Sequence, residues 1–333
     1  MSMEPQVPPL FQVEGLRVAF GRDGQLYEAV RGISLHVDPG EVLGIVGESG
    51  SGKSVGMLAA LGLQPEGARV SGSVRFKGQE LVGMPRSQLR KLRGARIAMI
   101  FQDPLSSLNP VMTVGDQIIE AVRLHHPDMS RKAALGRALD LLALVAIPQP
   151  DRRVKQYPHE FSGGMRQRVM IAMAMANDPD LLIADEPTTA LDVTVQAQIM
   201  EVLADLQDRL KLGLILITHD LGVLAGHADR VAVVYAGQVV EQAGVDDLFA
   251  RPGHPYTRGL IASIPNMAVE SERLFSIDGT PPVLGKLPTG CAFHPRCRHA
   301  RDICRSLAPL SQTAGAGHSA ACHFAFATPE AAP

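Results

Sequence analysis

A Gly-rich segment, GESGSGKS at residues 47–54, has the residue types and spacing that hold a polyphosphate. Gly47, four intervening residues, then Gly52, Lys53 and Ser54 match a phosphate loop. Glycines let backbone N–H groups approach the phosphates, the lysine reaches the terminal phosphates and the serine hydroxyl binds Mg²⁺. The apolar run EVLGIV precedes the segment and SVGMLAALGL follows it. The sequence therefore predicts a strand, a phosphate loop and a helix in succession.

Two adjacent carboxylates, Asp185 and Glu186, follow an apolar run in LLIADEP. They are predicted to leave a sheet at the carboxyl end of a strand, where α/β folds bind ligands. Asp185 is suited to hold Mg²⁺ through water, and Glu186 to orient or deprotonate an attacking water. A solvated Asp-Glu turn is the alternative, and it would be preferred if the phosphate loop were absent.

A second helix N-terminus is predicted at FSGGMRQRV, residues 161–169, where backbone N–H groups would again face a phosphate. This helix cannot serve the same nucleotide that the first helix serves. The chain also contains Gln102 in IFQDP, Asp192 after the strand that carries Glu186, and His219 at the end of LILITHD. In order and spacing, these motifs resemble the ATP-binding cassette family over about residues 10–250.

The resemblance implies a head-to-tail sandwich of two cassettes, with ATP between the phosphate loop of one and the Ser162–Gly164 segment of the other. Glu186 would be the base, His219 would contact the terminal phosphate, and Gln102 would sense metal and water while linking to a membrane subunit. Asp192 would cross the dimer seam. The nucleotide-binding set that the resemblance implies is Phe20, Gly47, Ser49, Gly50, Ser51, Gly52, Lys53, Ser54, Gln102, Ser162, Gly163, Gly164, Asp185 and Asp192, with Mg²⁺ bound by Ser54, Gln102 and Asp185.

One role and one motif leave alternatives open. Phe20 resembles the aromatic residue that stacks on adenine, but Tyr27 is a rival and Phe20 could be a core residue. Phe161 and Met165 replace Leu and Gln of the usual Leu-Ser-Gly-Gly-Gln string. Neither change removes a backbone donor, so both are expected to be tolerated.

Periodicity predicts an α/β fold around these motifs. Short β-rich runs fill residues 18–80, and apolar positions at helical spacing, such as Leu135, Leu139 and Leu142, predict a helical insert at about 85–177. DLLIADEPT and LGLILITHD then read as strands flanking the helix VTVQAQIMEVLADLQDRL, and RVAVVYAGQVVEQ reads as a hairpin. With the resemblance, this predicts a phosphate-loop NTPase core with an antiparallel β subdomain, a helical subdomain and a small Cys-containing C-terminal module.

The C-terminal part is predicted to be a separate extension, residues 251–326, with a flexible tail at 327–333. RPGHPYTRGLIASIP, followed by GTPPVLGKLPTGCAFHPRC, resembles the extension of dipeptide and oligopeptide importer ATPases, whose His-Pro-Tyr signature stands here at His254, Pro255 and Tyr256. A Pro-fixed turn with a packed tyrosine accounts best for these three residues. They identify the subgroup and need not take part in catalysis.

All four cysteines lie in this extension, at Cys291, Cys297, Cys304 and Cys322. Their separations differ from the two-residue spacing of ordinary zinc knuckles, and their confinement to one region argues against a disulfide framework. The resemblance implies a 4Fe-4S cluster at these positions. A structural zinc site and four reduced, buried thiols remain as alternatives.

Composition and charge exclude several classes of protein. Hydrophobic residues at 46% and charged residues at 20% are typical of globular proteins, and the net charge of −2 lacks the field of a general nucleic-acid binder. No apolar run approaches the roughly 20 residues of a membrane span, and no secretory signal is readable. The length predicts about two compact units. We expect a peripheral protein on the cytoplasmic face of the inner membrane.

Taken together, these features predict an ATPase subunit that energises import of di- or oligopeptides. The expected partners are a second, related cassette, two membrane permeases and, indirectly, an extracytoplasmic solute-binding protein, with no nucleic acid. A soluble cassette acting on nucleic acid or ribosomes, an exporter component and an importer subunit for nickel or another solute are the alternatives. A homodimer also remains open.

Overall fold

The computed structural model describes residues 8–22, 24–103, 107–264, 276–315 and 317–326. Within them the strands are β1 Phe11–Arg22, β2 Gln25–Val37, β3 Val42–Val46, β4 Arg69–Phe76, β5 Gln79–Glu80, β6 Ile97–Ile100, β7 Leu181–Asp185, β8 Gly213–Thr218, β9 Arg230–Tyr235, β10 Gln238–Gly244, β11 Gln312–Thr313 and β12 Ser319–Ala320. The helices are α1 Lys53–Ala60, α2 Arg86–Leu92, α3 Val114–His125, α4 Arg131–Leu144, α5 Pro150–Arg153, α6 Gly163–Ala174, α7 Val193–Leu210, α8 Leu221–Ala225, α9 Val245–Ala250, α10 Pro255–Ala262 and α11 Asp302–Ser306.

The chain forms two compact units. The first comprises the described residues of Met1–Phe11, Val37–Glu41 and Gly83–Ile217. The second comprises those of Gln12–His36, Val42–Val82 and Thr218–Pro333. Each unit therefore draws on distant parts of the sequence. The predicted boundary at residue 250 and the helical subdomain at 85–177 stay predictions, and the predicted tail at 327–333 lies outside the described residues.

The first unit contains the parallel strands β6, β7 and β8. Leu181 of β7 is in register with Ile97 of β6 and with Gly213 of β8. Every residue of β7 and β8 is buried, as expected for parallel strands covered on both faces. The helix between them, α7, covers Val193–Leu210, the range that the sequence predicts.

Two details of the helical segment differ from the sequence-based prediction. The segment RSQLRKLRGARI is helical only to Leu92, because its last residue, Ile97, begins the strand β6. Helix α4 is present as predicted, but Leu135 is exposed, and the helix buries Ala134, Ala138, Leu141 and Leu142. Small alanines lie at the contact, so the buried face is rotated from the one that the leucine spacing indicates.

The second unit combines parallel and antiparallel strands. Strand β3 pairs in parallel with β9, which forms the predicted hairpin with β10. The C-terminal strand β12 pairs antiparallel with β10, with Ala320 opposite Glu241, and β11 pairs with β12. Separately, β2, β1, β4 and β5 form a four-stranded sheet in that order. The α/β class is thus confirmed.

A buried carboxylate ties the C-terminal segments of this unit to β10. Glu241 accepts hydrogen bonds from the backbone N–H groups of Gly253 (2.6 Å) and His254 (2.8 Å), and its Oε1 lies 2.8 Å from His318 Nε2. The side chains of Glu241 and His318 are both almost completely buried. Three polar partners in the interior therefore depend on one residue.

We expect Glu241→Ala to lower the free energy of unfolding by about 3 kcal/mol or more, because it leaves several buried polar groups without partners. Urea unfolding followed by circular dichroism measures the loss. Replacement of the exposed Glu120 of α3 by alanine is the control and should cost about 0.5 kcal/mol or less. A Glu241→Ala variant as stable as the control would contradict this account.

None of the helices in the described ranges combines the length and the apolar character that crossing a bilayer would require.

Candidate functional site

The phosphate loop, residues 47–54, follows β3 in the second unit and leads directly into α1. A Cβ atom on Gly47 would overlap the carbonyl oxygen of Val234, and one on Gly52 would lie 2.6 Å from that of Ala29. Gly52 also has φ +97°, a conformation that L side chains rarely adopt. Both glycines are therefore fixed by close backbone approach, as a cradle for phosphate requires.

Lys53 is the first residue of α1, and its side chain is buried. Its Nζ donates to the carbonyl oxygens of Gly47, at 2.6 Å, and Glu48, at 3.0 Å. The ammonium group is thus held over the loop that precedes its own helix. Within the loop Ser49 and Gly50 are exposed, Ser51 is buried, and Gly52 and Ser54 are half-buried. Backbone N–H groups at the start of α1 and the lysine charge together suit a polyphosphate.

Glu186 lies in the first unit, one residue beyond β7, with φ +47°. Its Oε2 accepts hydrogen bonds from Gln102 Nε2, at 2.9 Å, and Thr189 Oγ1, at 2.7 Å. The parallel register explains the first contact: Ile100 pairs with Ala184, so the residues two places after this pair, Gln102 and Glu186, lie side by side. The carboxylate is therefore oriented by two donors.

The pairing of Gln102 with Glu186 brings together two residues that the sequence singles out separately. Thr189 was missed, although its position three residues after Glu186 in ADEPTT is a signal for a hydroxyl within reach of that carboxylate. Asp185, the last residue of β7, is buried. A buried carboxylate at a strand end is suited to hold Mg²⁺.

Two adjacent helix N-termini carry the remaining candidates of the first unit. Ser162 caps α6 and accepts from Met165 N–H at 3.4 Å, while Asp192 caps α7 and accepts from Val195 N–H at 3.0 Å. The helices approach closely, since a Cβ on Gly164 would overlap the Val195 side chain. Ser162, Gly163 and Asp192 are exposed. Phe161, which departs from the usual motif, is a buried anchor before this exposed turn.

His219, Phe20 and Tyr27 belong to the second unit. His219 is exposed just after β8. Phe20 on β1 and Tyr27 on β2 are both half-buried. The Tyr27 hydroxyl donates to Gln25 at 2.9 Å, and its ring lies so close to Gly285 that a Cβ there would clash. Tyr27 is thus engaged by the C-terminal segment, whereas the adenine-stacking role of Phe20 stays a prediction.

The His-Pro-Tyr segment has the structure of a helix start. His254 caps α10 by accepting from Tyr256 N–H at 3.0 Å, and Pro255 occupies the first turn. Burial lowers the pKa of His254 to about 3, so the ring is neutral. Tyr256 is fully buried and packs against Tyr235, with ring centroids 4.7 Å apart. These contacts agree with the structural interpretation of the segment.

The four cysteines are free thiols, of which Cys304 and Cys322 are buried and the other two half-buried. Burial and, to a smaller extent, the neighbouring thiols raise the pKa of Cys291 and Cys322, and together they raise that of Cys297 to about 11. In the part of the chain that the structure describes, no group of three or more His, Cys, Asp or Glu side chains is arranged to hold a metal ion. The 4Fe-4S cluster expected from the sequence therefore receives no support here.

Comparison with known proteins places these features in a family context. The family model "ABC transporter" matches residues 30–189, and "Oligopeptide/dipeptide transporter, C-terminal region" matches residues 240–304. The oligopeptide transport ATP-binding protein OppD of Mycobacterium tuberculosis is 54% identical over 94% of this chain. The chain spans about half the length of that relative, 52%.

Another relative matches over nearly its whole length. A probable peptide ABC transporter ATP-binding protein of Sinorhizobium fredii is 51% identical over 97% of both chains. Among solved structures, the ATP-binding cassette MJ0796, a dimer in a post-hydrolysis state bound to ADP and Pi, has a TM-score of 0.63 and 26% identity. That likeness covers 71% of this chain and 98% of MJ0796.

Proposed function

The chain belongs to the family of peptide ABC transporter ATP-binding proteins, and on that premise we propose that it binds and hydrolyses ATP to energise import of di- or oligopeptides. One combination carries the proposal. A phosphate loop in which Gly47 and Gly52 leave no room for a side chain stands in the same chain as a C-terminal region matched to oligopeptide and dipeptide transporters. The first feature supports the chemistry and the second the class of cargo.

The proposed chemistry is transfer of the terminal phosphoryl group of ATP to water. Its loose transition state asks mainly for positioning and for charge stabilisation. Lys53 and the N–H groups of the phosphate loop bind the phosphates, and His219 contacts the terminal one. Mg²⁺, when bound, neutralises phosphate charge, and we assign it to Ser54, Gln102 and Asp185. Glu186 orients the attacking water and accepts its proton.

Hydrogen bonds support the role of Glu186 as the base. Because Gln102 and Thr189 both donate to Oε2, the carboxylate has a defined orientation before any water is bound. Such preorganisation lowers the cost of reaching the transition state. The roles of the Ser162–Gly164 segment at a second nucleotide and of Asp192 at a dimer seam belong to the proposal as well.

We propose a head-to-tail dimer with a second, related cassette, docked from the cytoplasm onto two membrane permeases that receive peptide from an extracytoplasmic solute-binding protein. The dimeric cassette MJ0796 supports the pairing by analogy. At 26% identity, MJ0796 supports a cassette dimer as the kind of assembly. Whether the second cassette is a paralogue or a second copy of this chain is a question for experiment.

The four cysteines carry a finer proposal, that they bind a 4Fe-4S cluster as the family resemblance implies. The resemblance alone supports it. Backbone N–H groups reach three of the sulfurs, since Cys322 Sγ accepts the N–H of Phe324 at 3.4 Å and such groups also reach Cys291 and Cys297, although burial outweighs them and leaves the pKa values raised. Such bonds favour thiolates, which are the form that binds metals. Protein purified without oxygen should absorb visible light and bleach on reduction. A colourless protein with stoichiometric zinc would refute the cluster.

Reconstitution tests the function. The chain, co-expressed with candidate permeases and a candidate second cassette, is purified from membranes and placed in liposomes with a candidate solute-binding protein. We expect ATP hydrolysis to rise on addition of peptide and labelled peptide to accumulate. Stimulation of ATP hydrolysis by nickel instead of peptide would change the cargo that we assign to the transporter. Stimulation by RNA or DNA, without peptide transport, would overturn the proposal.

A further inference from the structure

The phosphate loop contains a carboxylate, Glu48, directly after its first glycine. The carbonyl oxygen of Glu48 accepts a hydrogen bond from Lys53, so the residue lies within the turn that surrounds the lysine ammonium group. A negative side chain at this position would repel a polyphosphate unless another charge compensated it.

The compensating charge comes from residue 296, between the first two cysteines. Arg296 donates from both terminal nitrogens to Glu48, with distances of 2.6 Å to Oε2 and 2.8 Å to Oε1. The arginine side chain is 5% exposed and the glutamate 27%. The hydrogen bonds to Glu48 raise the pKa of Arg296, so the guanidinium is charged at any working pH. This two-point geometry is the strong form of an arginine–carboxylate pair.

The guanidinium is held independently of Glu48. Arg296 Nε donates to the carbonyl oxygen of Asp278 at 2.9 Å. The guanidinium carbon lies 5.8 Å from the ring centre of Tyr235 and 5.9 Å from that of Phe293. A fixed, packed arginine loses little entropy when it pairs. It therefore fixes the Glu48 side chain and does not simply follow it.

A second contact holds the backbone of the same residue. The N–H of Glu48 donates to the hydroxyl of Tyr256 at 2.9 Å. Tyr256 and Phe293 are in ring contact, at 5.4 Å between centroids, and Tyr235 touches both. One aromatic cluster, Tyr235, Tyr256 and Phe293, thus supports both contacts to the first turn of the phosphate loop.

We propose that Arg296 is a positioning residue of the nucleotide site, which neutralises Glu48 and fixes the first turn of the phosphate loop. The inference rests on the proposed function, in that nucleotide binds at this loop. It assigns the region that carries the cysteines a part in nucleotide affinity, through a residue that touches the loop and not the nucleotide.

The charge of Glu48 sets the expected change in nucleotide affinity when Arg296 is removed. Without Arg296 a partly buried carboxylate would be left uncompensated next to the phosphates, and we expect nucleotide affinity to fall about tenfold or more. Removal of the glutamate charge in the same protein should restore most of the affinity. Because screening weakens repulsion, the loss should also shrink as salt rises.

The experiment is calorimetric titration of the full chain with ADP and Mg²⁺ at low and high salt. We compare wild type, Arg296→Ala, Arg296→Gln and the double variant Glu48→Gln/Arg296→Ala. Arg298→Ala is the matched control, since Arg298 forms an exposed ion pair with Asp278 in the same segment. We expect both single Arg296 variants to bind weakly, the double variant to bind within about threefold of wild type, and the control to match wild type.

The results of these titrations distinguish the proposal for Arg296 from a structural defect and from a failure of the proposed function. Weak binding by the single variants that neither salt nor the Glu48→Gln change relieves would overturn the proposal, because a general structural defect behaves that way. Binding at the wild-type level in the Arg296 variants would overturn it too. If Arg296→Ala does not fold, Arg296→Gln, which keeps most of the side-chain volume, decides the question. Absence of ADP binding by wild type would refute the proposed function instead.

Discussion

Glu186→Gln is expected to retain nucleotide binding and to lose turnover, with kcat falling on the order of 10²- to 10³-fold. The change keeps the size of the side chain and leaves an oxygen that Gln102 and Thr189 can still approach. It removes only the negative charge that accepts a proton from water. Phosphate release by the reconstituted transporter measures turnover, and titration with ADP and Mg²⁺ measures binding.

The control is Glu201→Gln, which neutralises an exposed glutamate on α7, fifteen residues further along the chain. It should hydrolyse ATP at the wild-type rate. If Glu186→Gln also hydrolysed ATP at that rate, the assignment of the base would be wrong. If it lost nucleotide binding as well, Glu186 would have a binding role and not the proposed chemical one.

Lys53→Ala is expected to weaken binding of ADP and Mg²⁺ about 100-fold or more, because charge-assisted hydrogen bonds to phosphate are among the strongest polar contacts. The loop itself should also loosen, since Lys53 Nζ links the carbonyl oxygens of Gly47 and Glu48. Calorimetric titration of the full chain measures the loss. Hydrolysis should fall in parallel.

Lys53→Met distinguishes loss of the ammonium group from loss of side-chain bulk, because methionine keeps the aliphatic length and removes the charge together with its hydrogen bonds. We expect it to bind as weakly as Lys53→Ala. Lys132→Met, at an exposed position on α4, should bind like wild type. Binding by Lys53→Met within threefold of wild type would mean that the lysine charge does not act on the phosphates.

The ion pair between Glu48 and Arg296 acts on the same phosphate loop as Lys53. Lys53 places a positive charge over the loop, while Arg296 cancels a negative charge within it. The two variants therefore differ in their response to a second change. Glu48→Gln should restore binding to Arg296→Ala but not to Lys53→Ala, since the latter lacks the charge that attracts the phosphates.

The elements around the nucleotide motifs could be predicted because their sequence signals are local. The buried strand β3, the start of α1 at Lys53 and the full length of α7 all follow from apolar period and flanking residues. The strand β6 could not, because its four residues IAMI are few and the helical spacing of the preceding segment continues into Ile97. Only pairing with β7 gives that segment its conformation.

Single residues also divide into those that the sequence predicts and those whose contacts only the structure shows. The glycines of the phosphate loop are evident from their spacing, but that Gly47 and Gly52 face the carbonyl oxygens of Val234 and Ala29 is not. Thr189 and Arg296 were not identified as candidates. A hydroxyl or guanidinium becomes relevant only when folding brings it to a carboxylate, and Arg296 lies 248 residues from Glu48 in sequence.

The sequence by itself determined the chemistry: a phosphate loop, a strand ending in two carboxylates and a glycine-rich helix start have short-range patterns that survive without knowledge of the fold. Only the tertiary structure decided which groups orient Glu186, which face α4 buries and which cation compensates Glu48. The reason is physical. Local conformation depends on neighbours along the chain, whereas hydrogen bonds and ion pairs between distant residues depend on strand register and packing, which no local pattern records.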